Sequence, residues 1–158
     1  MVVLLWDMDG KTTERKRGLL QAREAAALPP GCEGMAIAYG CPDFEIEAWL
    51  LGGFQPRDDD ERERLAAQHA TLGFDPVTQA HRLTAARDHD KHGVPNPRSA
   101  KVVLASLTAD DHARRQACWQ ETPLVTLRQR GEHNGLRDYL DEVLHAVDSW
   151  AGKNVRLA

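Results

Sequence analysis

The chain opens with an unbroken apolar run, Val2-Val3-Leu4-Leu5-Trp6. A short continuous run of branched and bulky apolar residues predicts a strand buried on both faces. Thr12 or Thr13 can cap a helix running to about Ala27, with Leu19, Leu20, Arg23 and Ala26 near helical spacing. Pro29-Pro30-Gly31 ends it, and Gly34 to Gly40 reads as a second buried strand. Pro42 to Leu51 predicts a helix with Pro42 in its first turn, stopped by Gly52-Gly53. Strand, helix, strand, helix is the right-handed crossover unit of a parallel sheet.

Beyond residue 53 the pattern turns helical. Asp58 to Leu72 is a charged helix closed by Gly73. A short segment from Asp75-Pro76 to Ala86 and a polar loop over Asp88 to Pro95 follow. Asn96-Pro97 predicts a helix start running through Leu107, and Thr108 a cap for the next helix, with Asp110 and Asp111 favoured by the helix dipole. Thr122-Pro123 opens a short helix ending at Gly131. The clearest amphipathic stripe is the last, Leu136, Leu140, Val143, Leu144, Val147 and Trp150. The expected fold is α/β: a small parallel sheet within residues 1–53, and a mainly helical part over 54–158 packed on it as one domain. Two strands are few for a stable parallel sheet. A third strand is hidden in the pattern, or a partner chain completes the sheet.

Composition narrows the function classes. A chain of 158 residues can bury about 70% of its unfolded surface without a disulfide or metal staple. The net charge of −4 excludes a protein that grips nucleic acid by bulk positive charge, though not one with a local basic patch. Aromatic residues at 6% argue against a base-stacking platform. Cys32, Cys41 and Cys118 form no paired motif, which suits reduced thiols in a cytoplasmic protein. No stretch approaches the roughly 18 apolar residues that a membrane span needs, and the apolar start lacks the basic flank of a signal peptide.

Candidate chemistry sits where the two strands end. Trp6-Asp7-Met8-Asp9-Gly10 places carboxylates at i and i+2, on one side of an extended chain and at the edge where open α/β sheets bind ligands. Two such oxygen donors can hold Mg²⁺ or Mn²⁺, with waters filling the other positions. The bland alternative is a turn in which Asp7 caps and Asp9-Gly10 reverses the chain. Glu45 and Glu47 follow the second strand, and one of them can complete the metal site. On a regular helix the two would face roughly opposite sides. Phosphodiester chemistry also needs positive charge near the phosphate, for which Lys11, Arg98 and Lys101 are the candidates. The run Arg15-Lys16-Arg17 reads as a solvated helix face. His89 and His92 lie in a polar loop with no Cys nearby and no zinc-binding pattern.

The strand ending in Asp-x-Asp, the segment Glu45-Ile46-Glu47-Ala48-Trp49-Leu50 and the later Pro97-Arg98 together resemble the Toprim-related proteins of bacterial defence loci, the OLD-like and RloB-like group and a neighbouring uncharacterised family. The resemblance spans most of the chain but rests on few residues. It implies a Mg²⁺- or Mn²⁺-dependent nuclease of a bacterial anti-phage or mobile-element system. Asp7 and Asp9 would be metal ligands, with Glu45 or Glu47 the additional acid and nucleic acid the substrate. A Toprim domain opens with an earlier strand whose terminal Glu serves the site. Here the Asp-x-Asp strand comes first, so that unit is lost, another chain supplies it, or the start is mis-assigned.

Two other readings compete. A Toprim-like remnant without its first acid would be a non-catalytic subunit that binds a partner ATPase or self-associates to complete the sheet. Asp7-Met8-Asp9-Gly10 also resembles the opening motif of HAD-type phosphatases, which implies Asp7 as nucleophile and Asp9 as acid. Lys11 stands where that family places Thr or a β-branched residue, and the later paired-Asp motif after a strand is missing.

Overall fold

A computed structural model describes residues 1–25, 35–85 and 87–155. Their order is β1 (Val2–Leu5), α1 (Thr12–Ala25), β2 (Ile37–Gly40), α2 (Glu47–Gly52), α3 (Asp59–Leu72), a 3-10 turn (Ala80–Arg82), α4 (Ala100–Thr108), α5 (His112–Gln120), α6 (Leu124–Arg130) and α7 (Leu136–Val155). β1 and β2 pair in parallel, Val2 opposite Ile37 and Leu5 opposite Gly40. The α/β architecture with a helical C-terminal half is therefore present, and its sheet has two strands among the described residues. The end of the first predicted helix at Ala26 and Ala27, its Pro29-Pro30-Gly31 stop and Gly34, the start of the second predicted strand, lie outside them.

The main core belongs to the helical half. Leu51 and Phe54 from α2 and its end meet Leu72, Phe74, Leu83, Val103, Leu104, Leu107 and Cys118. A second cluster joins Trp49, Leu127 and Leu136. There the Trp49 indole donates to the Asn134 carbonyl at 2.7 Å and stacks on Tyr139 at 5.1 Å between ring centres. α7 packs along β2 and so fixes the sheet to the helices. That sheet lies at one side of the molecule.

Several boundaries differ from the sequence reading, each for a local reason. β1 is not buried: Val2 to Leu5 are all exposed, because β1 has one strand neighbour and no described layer closes over it. The helix expected from Pro42 begins five residues later, at Glu47. The backbone of residues 42–44 is occupied by the loop after β1: Met8 N–H donates to the Pro42 carbonyl and Asp9 N–H to that of Phe44. Phe44 itself is left-handed, φ 66°. The helix expected at Asn96-Pro97 begins at Ala100, with Ser99 as its cap, accepting the Val102 N–H. Asn96 spends its side-chain oxygen on Arg98 N–H in a local turn. Thr108 closes α4 and Asp111 caps α5, accepting from Ala113 and Arg114 N–H. Among the described residues of the segment 75–86, only Ala80–Arg82 is helical. The α7 stripe is buried at Leu136 and largely exposed at Leu144, Val147 and Trp150.

Candidate functional site

The loops after β1 and β2 meet, as parallel pairing requires, but the two aspartates part company. Asp7 Oδ1 accepts the Ile46 N–H at 3.1 Å, at the residue that caps α2. Asp9 is exposed and left-handed, φ 45°, with Gly10 after it at φ 72°. Its carboxylate pairs with Arg15 at 2.6 Å, and the same guanidinium nitrogen donates to the Asp7 carbonyl at 2.5 Å. The i, i+2 rule holds only while the chain is extended. β1 ends at Leu5, so Asp7 and Asp9 are already in the turn. The geometry matches the capping-and-turn alternative: one carboxylate steadies the start of α2 and the other the start of α1.

A different set of acids does converge. Glu45 lies just before α2 and Glu47 is its first residue, so their spacing is not that of a regular helix. Glu45 Oε1 pairs with Lys101 at 3.3 Å. The second oxygen of each carboxylate, Oε2 of Glu45 and of Glu47, is buried with no hydrogen-bond partner. Burial raises the Glu45 carboxyl above its usual pKa. The Lys101 ammonium opposes that rise, and the charges of Glu47 and Asp88 add to it. Burial pulls the Lys101 ammonium down, but Glu45, Glu47 and Asp88 outweigh burial and hold it above its usual value. The two shifts have different causes: burial dominates at Glu45, and the three neighbouring carboxylates dominate at Lys101.

Glu47, Asp88 and Lys101 line a groove of about 410 Å³ along α4, together with His89, Asp110 and Arg115; Glu45 is not part of that lining and reaches it through its pair with Lys101. Asp88 is held by the Ser99 hydroxyl at 2.7 Å, and Arg115 pairs with Asp110. Of the predicted phosphate-binding residues, Lys101 is at this groove. Lys11 is exposed at the start of α1, and Arg98 lies over the Phe74 ring, 5.7 Å from its centre. Arg15 and Lys16 are engaged by Asp9 and Asp138. The sequence reading weighed His89, with His92, for zinc alone, and did not single out Asp88 or Arg115. Asp88 and His89 belong to a loop with no motif, and only the packing of α4 against α2 brings that loop to Glu45.

Among the described residues, no group of three or more His, Cys, Asp or Glu side chains is placed to hold a metal ion. Mg²⁺ commonly takes one or two carboxylates, with waters and substrate phosphate completing its shell. The two unpartnered oxygens of Glu45 and Glu47 fit that smaller demand; the Asp7 and Asp9 carboxylates, engaged elsewhere, do not. Compared with protein-family models, curated proteins and solved structures, the chain matches none. No described helix is long and apolar enough to cross a membrane.

Proposed function

We propose that the protein is a divalent-metal-dependent phosphodiesterase acting on nucleic acid, working at Glu45, Glu47 and Lys101 beside the groove along α4. The observation that carries this reading is the pair of buried carboxylate oxygens, Glu45 Oε2 and Glu47 Oε2, left without any partner. A buried acceptor without a donor costs about 1–3 kcal/mol, more when charged. A bound cation removes that cost. Glu45 and Glu47 would hold Mg²⁺ or Mn²⁺, and the ion would polarise a phosphate and lower the pKa of its bound water. Lys101, paired with the other oxygen of Glu45, would supply the positive charge for the phosphate. Asp7 keeps a positioning role, holding the Glu45–Glu47 segment through the Ile46 N–H. The setting, a bacterial anti-phage or mobile-element system, rests on the Toprim-like resemblance alone, and the cytoplasmic reading on the unpaired cysteines.

The non-catalytic reading has its own support, since Arg15 already holds the Asp9 carboxylate. Calorimetric titration with Mn²⁺, run beside a plasmid-nicking assay, separates the two. Wild type should bind Mn²⁺ and nick. Glu45→Gln and Glu47→Gln should each bind at least about tenfold more weakly, since losing even an outer-shell partner of a metal ligand costs roughly 10–100-fold, and should not nick. Asp9→Asn should bind as wild type does. No Mn²⁺ binding in wild type, or binding lost only in Asp9→Asn, defeats the proposal and favours the subunit.

A further inference from the structure

Among the described residues, the outer edge of β1 is unpaired and undefended against pairing. Val2 N–H donates to the Ala36 carbonyl and Trp6 N–H to that of Gly40. Along a parallel ladder the groups alternate, so the amides and carbonyls of Val3 and Leu5 face the other way. No described segment pairs with them. Exposed edges are usually blunted by Lys, Pro, bulges or covering loops. The run Val2 to Trp6 contains no charged residue and no proline. Its side chains are open as well, from 38% exposed at Val2 to 47% at Leu5 and 58% at Trp6. A two-stranded sheet is marginal by itself.

We propose that two copies of this chain pair antiparallel through β1, forming one continuous four-stranded sheet in the order β2-β1-β1-β2. Three observations favour a second copy over another kind of partner. The strand is complementary to itself. Antiparallel pairing about a two-fold axis at Leu4 sets Val3 opposite Leu5 of the second copy, and these are the two residues whose backbone groups face outward. The pair repeats across the axis and gives four hydrogen bonds. The same register sets Val2 beside Trp6 of the second copy, a favourable β-branched and aromatic pairing. The charge also fits: a chain of net charge −4 can meet itself most easily at a stretch without charged side chains. The exposed area sets an upper limit: Met1 to Trp6 expose on the order of 600 Å² per copy, part of which edge pairing covers, against the roughly 800 Å² that each partner gives to a standard interface.

Sedimentation equilibrium and light scattering on the full chain test this. Wild type should have twice the 17.6 kDa chain mass. Val3→Pro removes an outward amide that pairs with nothing in the single chain, a position where an edge strand tolerates proline. Its mass should fall to that of one chain with its helical circular dichroism unchanged. Leu4→Lys, which sets two ammonium groups against each other at the axis, should do the same and guards against misfolding of the proline variant. Leu4→Cys should oxidise to a covalent dimer where wild type does not, since a non-hydrogen-bonded antiparallel pair holds its Cα atoms about 4.5 Å apart, within disulfide reach. A wild-type monomer overturns the proposal, even one that captures a different protein. So does a dimer that survives both substitutions, or a wild-type dimer in which Leu4→Cys fails to cross-link.

Discussion

Glu61 stands in the run Asp58-Asp59-Asp60-Glu61-Arg62-Glu63-Arg64, which reads as a solvated helix face, yet only 5% of it is exposed. Its carboxylate takes two parallel bonds from Arg114, at 2.6 and 2.9 Å, and one from Arg57 N–H at 2.8 Å. Arg114 also donates to the Gln55 carbonyl. A pair buried this way contributes little net stability, but breaking it strands a charge. Glu61→Ala should therefore cost about 3–5 kcal/mol, while Glu61→Leu with Arg114→Met should recover most of the loss, as read from urea midpoints. The Arg114 hydrogen bonds hold the Glu61 carboxyl below its usual pKa, against the opposing pull of burial. Its stabilisation is thus complete above the usual glutamate range and drains away as pH falls through the lowered value. The double variant should lose that part of the acid sensitivity; an unchanged acid limb would show that Glu61 is not the group responsible. Nothing in the local pattern marks Glu61 off from Glu63, because its partner lies 53 residues away. Glu45 and Glu47 were legible as candidate acids from their place after a strand. Asp88, which completes their surroundings, was not.

At the scale of elements, two glycines serve different physical ends. Gly73 closes α3 in the left-handed region, φ 73°, with open space where a Cβ would stand. Gly53 ends α2 in ordinary right-handed geometry, but a Cβ there would lie 1.9 Å from the Cys118 carbonyl oxygen. Gly73→Ala should cost about 1 kcal/mol, for backbone strain alone. Gly53→Ala should cost more, because the backbones of α2 and α5 must separate. Equal losses in urea unfolding would mean that α2 and α5 are not tightly apposed. Helix ends marked by glycine, at Gly73 and Gly131, were legible in the chain, as was the buried start of α7 at Leu136. Helix starts were harder wherever several capping residues compete within a few positions. Asn96 and Ser99 are both good caps, and tertiary contacts choose Ser99, whose hydroxyl also reaches Asp88. Pro42 was a sound first-turn residue by local rules, but the loop after β1 claims its carbonyl.

Taken whole, the molecule is unevenly built. The residues from Ala48 to Cys118 supply its main core, while β1 is exposed along its length and α1 is exposed along most of its own. α1 is tethered chiefly by ion pairs, Arg15 to Asp9, Lys16 to Asp138 and Arg23 to Glu142, and exposed pairs of this kind contribute little, about 0–1 kcal/mol each. Local opening follows such differences in packing. Amide exchange should be slowest across α2, α4 and α5 and fastest in α1, and raised salt should speed α1 selectively by screening its tethers. β1 then gives a residue-resolved reading of the whole assembly. In a single chain, Val2, Leu4 and Trp6 amides are tied to β2, and those of Val3 and Leu5 are open to water. If a second copy covers the edge, Val3 and Leu5 become protected as protein concentration rises, and Val3 or Leu5 exchanging freely at every concentration would show that edge to be bare. The apolar run that predicted a fully buried strand would then have been read correctly for the assembly, since the burial it calls for lies between two chains.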